Sequence, residues 1–150
     1  MLEYEEIVNF IQKSCWMLDE EDFDGFLSLC SKDFQYKITA FSPELNKEMI
    51  WMDEDYEGLK NLLGMVPEHL TRLGKFTRHV TIGQTLRGNE EIIIKSSFIA
   101  VHTDLNGKSN IFGVGRYNDK IISRDKGVFL LSREAHLETR DLGIGSHVPI

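Results

Sequence analysis

The sequence is poor in the features that mark secreted, membrane-spanning and nucleic-acid-binding proteins. It has two cysteines in 150 residues, too few for a disulfide scaffold. Cys15 and Cys30 lie in partly apolar stretches with helical spacing, so they read as buried thiols, and a disulfide between them stays open. Only three prolines occur, and no Pro-, Gly- or Ser-rich linker divides the chain. Residues 1–150 are therefore expected to fold as a single domain. No apolar run reaches the ~20 residues that a spanning helix needs. The opening Met1-Leu2-Glu3-Tyr4-Glu5-Glu6 is acidic where a secretory signal is basic. Together these absences predict a cytoplasmic protein with no membrane partner. Basic residues are also in deficit: 17 Lys and Arg stand against 24 Asp and Glu, a net charge of −7. With no basic stripe along the chain, no nucleic-acid partner is expected.

What is present is a change of hydrophobic period halfway along the chain. Ile7, Phe10, Ile11, Cys15 and Leu18 recur at helical spacing, which predicts a helix over Glu3–Leu18. Asp19-Glu20-Glu21-Asp22 then supplies the acidic groups that favour the start of a second helix, with Phe23, Phe26, Leu27 and Cys30 on one face. Ser31-Lys32-Asp33 breaks that helix. Phe34–Phe41 alternates as a strand, ended by Ser42-Pro43. A third helix is expected from about Asp53, carried by Tyr56, Leu59, Leu62, Leu63 and Val66 and limited by Pro67. From Phe76 the period is two, giving strands Phe76–Leu86, Glu91–Thr103, Ser109–Ser123 and Val128–Thr139. Gly88-Asn89, Asn106-Gly107 and Asp125-Lys126-Gly127 mark the turns, and Asn-Gly suits a type I′ hairpin. Short turns between long strands imply antiparallel neighbours. Gly83, Gly113 and Gly115 sit inside strands, where a bulge or close backbone packing is expected. The fold class is α+β, with helices over one face of a curved sheet.

This element order resembles the cone-shaped fold of the nuclear transport factor 2-like superfamily: a curved mixed or antiparallel sheet wrapped around three helices from the N-terminal half. Leu18-Asp19-Glu20-Glu21-Asp22-Phe23 and the helix after it resemble the first-helix signature of the small (β) subunits of aromatic-ring-hydroxylating dioxygenases. Asp33-Phe34-Gln35-Tyr36, Thr77-Arg78-His79, Gly115-Arg116-Tyr117-Asn118-Asp119 and Leu131-Ser132-Arg133-Glu134-Ala135 are similar to later segments of that family. So is the tail Leu142–Ile150, whereas residues Ser42–His69 match least. The resemblance implies a mainly structural subunit, a homotrimer or other homo-oligomer, supporting a large (α) subunit. The Rieske iron–sulfur cluster and the mononuclear iron would belong to that partner. In this chain neither cysteine has a histidine nearby, as a Rieske site needs. The five histidines show no spacing that singles out a facial triad. No metal or cofactor site is expected here.

A second reading competes with the first. Asp19, Tyr36, His79 and His102 match, in order and rough spacing, an Asp/His/His/Tyr set used by scytalone dehydratase, another member of the superfamily. Histidine supplies a base near neutral pH, a carboxylate fixes its tautomer, and a phenol polarises a carbonyl. These four are the candidate catalytic residues of a free-standing dehydratase or isomerase with a small aromatic or carbonyl ligand. Under the first reading none is catalytic. His79 would then be a buried or interface histidine bonded to a carboxylate such as Asp19, and Asp19 itself a helix cap. Tyr36 would be core. Taking Ile94, Ser96, Phe98, Ala100 and His102 as one face of a strand points His102 inward, with a surface position at the strand end equally open. His69, His136 and His147 read as surface or interface residues. Arg116 and Arg133 are positioned to pair with Asp119, Glu134 or a partner subunit. Trp16 and Trp51 read as core or interface anchors, and Met49-Ile50-Trp51-Met52 as an exposed apolar contact.

Overall fold

The computed structural model describes residues 1–65, 74–142 and 149–150. Among these residues the chain runs α1 (Tyr4–Asp19), α2 (Phe23–Leu29), β1 (Cys30–Ser42), β2 (Lys47–Asp55), α3 (Tyr56–Met65), β3 (Lys75–Arg87), β4 (Glu91–Thr103), β5 (Ser109–Arg124) and β6 (Gly127–Leu137). Helix α1 opens where Glu6 Oε2 accepts the Glu3 N–H at 2.8 Å, a capping-box half that satisfies an orphan donor. Its buried stripe is Ile7, Ile11, Ser14, Cys15 and Leu18. Asp22 caps α2 by accepting the Gly25 N–H at 2.9 Å, as the acidic turn predicts.

The strands form one six-stranded sheet in the order β2-β1-β6-β5-β4-β3. Strands β3 to β6 form the expected antiparallel meander. Strand β1 pairs with β6 in parallel, which makes the sheet mixed. The inward face of β4 is Ile94, Ser96, Phe98, Ala100 and His102, all buried, and this is the face that period-two alternation assigns.

Four local expectations are corrected. Cys30 leaves the helical face of α2, because its backbone turns extended and pairs with Leu130 of β6. Ser31-Lys32-Asp33 is thus strand rather than break. Lys47–Asp55 forms a strand that no alternation announces, since β2 is an edge strand held by β1 with most of its side chains in solvent. Helix α3 consequently starts at Tyr56, where Asp55 Oδ1 accepts the Gly58 N–H at 2.8 Å. Asn106-Gly107 is not a two-residue type I′ turn. Thr103 pairs with Ser109, Gly107 takes φ +83° while Asn106 keeps negative φ, and Asp104 Oδ1 accepts the N–H groups of Asn106 and Lys108, each at 2.9 Å. The aspartate organises the loop that the Asn-Gly pair was expected to close. Val66, Pro67, His69 and His147 lie outside the described residues. Gly115 has the close-packing role: a Cβ there would collide with the His136 carbonyl on β6.

The core contains an ion pair. Arg133 and Asp119 face each other across β5 and β6, with Nε–Oδ1 2.8 Å and Nη2–Oδ2 3.0 Å. Both side chains are 0 % exposed. Nη2 also reaches Ser14 Oγ on α1 at 2.8 Å, and the guanidinium carbon lies 4.5 Å from the Tyr117 ring centre. Of the pairings open to Arg133, Asp119 is the one formed, while Arg116 is exposed. Burial raises the Asp119 pKa, and Arg133 opposes that shift.

Two outcomes are expected in unfolding experiments. Arg133→Met should destabilise the chain by about 3–5 kcal/mol in urea, because it strands a buried carboxylate, and adding Asp119→Leu should restore most of the loss. Cys15 and Cys30 are free and buried, and burial pushes the Cys30 thiol up to about 12. Neither should be alkylated by iodoacetamide near pH 8 until denaturant is added, as read by intact mass.

Candidate functional site

The inward faces of β1, β3 and β5 converge on a buried polar network. Arg78 on β3 points inward with Phe76, Val80 and Ile82, which pack against the core. Its Nη1 donates to Asp19 Oδ1 at 2.6 Å. Its backbone N–H donates to both carboxylate oxygens, at 3.2 and 3.1 Å. Asp19, the last residue of α1, therefore pins that helix to β3. Arg78 Nη2 donates to the Pro149 carbonyl at 2.6 Å. Ile150 is buried beyond it. The Ile150 N–H donates to Tyr36 Oη at 2.8 Å, and Tyr117 Oη donates to the Ile150 oxygen at 2.6 Å. The Ile150 side chain packs over Gly113, where an added Cβ would come within 3.1 Å of it. Burial raises the pKa of both tyrosines, so both remain neutral phenols at ordinary pH. Burial also raises the Asp19 pKa, against the pull of Arg78.

The four candidate residues are only partly brought together. Asp19 and Tyr36 belong to this network. His102 is buried on the same inner face, its ring tilted against Phe76 with ring centres 4.9 Å apart. It sits one inward step beyond Ala100, the cross-strand partner of Arg78. His79 is exposed. The expected His79–Asp19 bond is corrected to Arg78–Asp19, because adjacent strand residues face opposite ways and the apolar neighbours put Arg78 inside. Arg78, Tyr117 and the tail residues Pro149 and Ile150 are the members that sequence reasoning did not single out. The described cavities of about 620, 460 and 340 Å³ are lined by none of the four candidates.

On the outer side, His136 Nδ1 lies 2.8 Å from Glu48 Oε1 and 3.0 Å from Thr39 Oγ1, a surface position as expected. Trp16 and Trp51 are 67 % and 43 % exposed, so neither is a core anchor. Among the described residues, no group of three or more His, Cys, Asp and Glu side chains is placed to hold a metal ion. No described helix is long and apolar enough to cross a membrane.

A curved sheet closed over three helices defines a nuclear transport factor 2-like cone. Solved structures agree. The β subunit of benzoate 1,2-dioxygenase from Burkholderia mallei superposes with TM-score 0.77 at 11 % identity, covering 98 % of this chain and 97 % of that one. A scytalone dehydratase candidate from Novosphingobium aromaticivorans gives 0.66 at 18 %, covering 96 % and 90 %. At such identities these likenesses show the fold alone. No family model matches the chain. Sequence comparison is more specific. The chain is 35 % identical to the β subunit of 2-aminobenzenesulfonate 2,3-dioxygenase from an Alcaligenes species, over 96 % of its own length and 97 % of that subunit. It is 34 % identical to the hydroxylase β subunit of methanesulfonate monooxygenase from Methylosulfonomonas methylovora, over 95 % and 84 %. The chain belongs to the small-subunit family of the ring-hydroxylating dioxygenases.

The tail contacts generate a specific expectation. Tyr36→Phe leaves the buried Ile150 N–H without its acceptor and should cost about 1–3 kcal/mol of stability in urea. Amide exchange at Ile150 should accelerate in the same variant.

Proposed function

We propose that this chain is the small subunit of an oxygenase acting on an organic sulfonate, and that it works by supporting an iron-bearing large subunit. The observation that carries this reading is the pair of relatives above. Both match over nearly the whole chain, and both are β subunits of enzymes named for sulfonates, one aromatic and one not. The Rieske cluster and the mononuclear iron belong to the large subunit, and the small subunit assembles in the cytoplasm as a trimer or other homo-oligomer. The interior supports a non-catalytic role, since Tyr36, Arg78 and Tyr117 are engaged by the chain's own tail. Under this reading Asp19, Tyr36, His79 and His102 touch no substrate. Exposed Ile50, Trp51 and Phe41 on the β1–β2 hairpin suit a face covered by another subunit.

Co-expression with the large subunit encoded beside it tests the assignment. The tagged chain should bring down a protein with a Rieske absorption spectrum. The complex, supplied with its reductase, should consume oxygen with 2-aminobenzenesulfonate or methanesulfonate and not with benzoate. A folded, colourless chain that captures no Rieske protein would count decisively against a subunit role, and turnover of benzoate alone would remove the sulfonate specificity.

A further inference from the structure

A recess of about 620 Å³ opens beside the end of α2, away from the buried network. Its apolar walls are Leu27 of α2, Tyr56 at the start of α3 and Phe129 of β6. Three cations rim it: Lys32 of β1, Arg124 at the end of β5 and Lys126 in the following turn. Asp125 is the carboxylate among its lining residues. Lys32 Nζ sits 4.3 Å from the centre of the Tyr56 ring, which orients its charge over the cavity wall. Arg124 meets Asp33 at 3.8 Å with both side chains well exposed, a contact too loose and too solvated to occupy the guanidinium. Local positive charge of this kind runs against a chain whose net charge is −7.

We infer that this recess binds a small aryl anion, a single ring bearing a sulfonate or a carboxylate. Its volume lies within the ~300–1,000 Å³ of small-molecule sites, which combine apolar walls with a few placed polar groups. The ring would lie against Tyr56 and Phe129, and the anionic group would meet Lys32, Arg124 and Lys126. Of the nearby hydroxyls, Ser28 Oγ already donates to the Gly25 carbonyl, whereas Ser31 Oγ accepts the Asp33 N–H and keeps its own proton. The recess is a binding site without chemistry. Its one thiol, Cys30, is 5 % exposed, and the wall carries no histidine.

Isothermal titration of the full chain with benzenesulfonate and benzoate at low salt tests the site. One saturable site is expected for each, with weaker binding of methanesulfonate, which lacks the ring, and none of benzyl alcohol, which lacks the charge. Lys32→Ala and Lys126→Glu, exposed residues on different elements, should each weaken binding about tenfold. Lys13→Ala, exposed on α1, should leave it unchanged. No saturable heat with either anion overturns the site, as does binding that both charge variants leave intact. Equal binding of benzyl alcohol reduces the recess to an apolar patch and also overturns it. Titration requires no large subunit, so a negative result leaves the subunit assignment standing.

Discussion

A guanidinium and a carboxylate with no solvent contact lie at the centre of this cone, and the surrounding structure is arranged around them. Removing two charges from water costs several kcal/mol per ion, and close geometry is what offsets it. Arg133 and Asp119 achieve that geometry because they are directly opposite on β5 and β6, so a slip of one residue in either strand would put the two charges on opposite faces of the sheet. The same guanidinium holds Ser14 of α1 and sits over Tyr117, while Tyr117 stacks on Phe98 with ring centres 4.2 Å apart. Helix position, strand register and the orientation of the Tyr117 hydroxyl thus share one constraint. Arg133 Nη1 has no hydrogen-bond partner among the described residues, so part of the guanidinium's desolvation cost is left without a compensating bond.

From Tyr117 the constraint passes to the tail. Its hydroxyl donates to Ile150, whose N–H donates to Tyr36, and Arg78 joins Pro149 to Asp19. Two buried arginines therefore organise two halves of the interior, one through a carboxylate on β5 and one through a carboxylate at the end of α1. Both pairs tie α1 to the sheet, which is why a helix with only one buried stripe is held at a defined angle over a curved surface.

Much of the fold was legible because burial follows simple periods. The stripe of α1 and the inner face of β4 each place their buried residues at regular intervals, and the β3–β6 meander follows from the same alternation. Strand β2 was not legible. Its side chains are largely solvated, and backbone hydrogen bonding to β1, which leaves no trace in side-chain pattern, defines it. The site was half legible for a related reason. Asp19 and Tyr36 are marked by the resemblance to scytalone dehydratase, and alternation along β4 offers the inward direction of His102 beside an equally open surface position. Choosing Arg78 over His79 as the inward residue requires strand parity, and a one-residue difference decides it. Pro149 and Ile150 lie in a tail that the family resemblance covers, but their hydrogen bonds use backbone atoms, which every residue carries, so residue type does not reveal the partners.

The cone itself does not separate an enzyme from a supporting subunit, since both kinds share it. The distinction lies in whether interior polar groups are left for a substrate. An acid–base pocket needs donors and acceptors facing water or ligand, at a pKa near working pH. Here the two interior phenols are raised away from that range by burial, and their hydroxyls are already bonded to the chain's own backbone. A carbonyl substrate would have to displace the tail, break the bond that Tyr36 accepts from the Ile150 N–H and those that Tyr117 and Arg78 donate to the tail, and replace the apolar contact of Ile150 with Gly113. Each bond is worth only ~0.5–1.5 kcal/mol net when made, but a buried group left unpaired costs ~1–3 kcal/mol, so a ligand must match the tail group for group. The proposed subunit role carries no such requirement and uses the surface of the cone instead. There the chain has its exposed aromatic and apolar side chains, its one unsealed histidine of the candidate set, and its cation-rimmed recess.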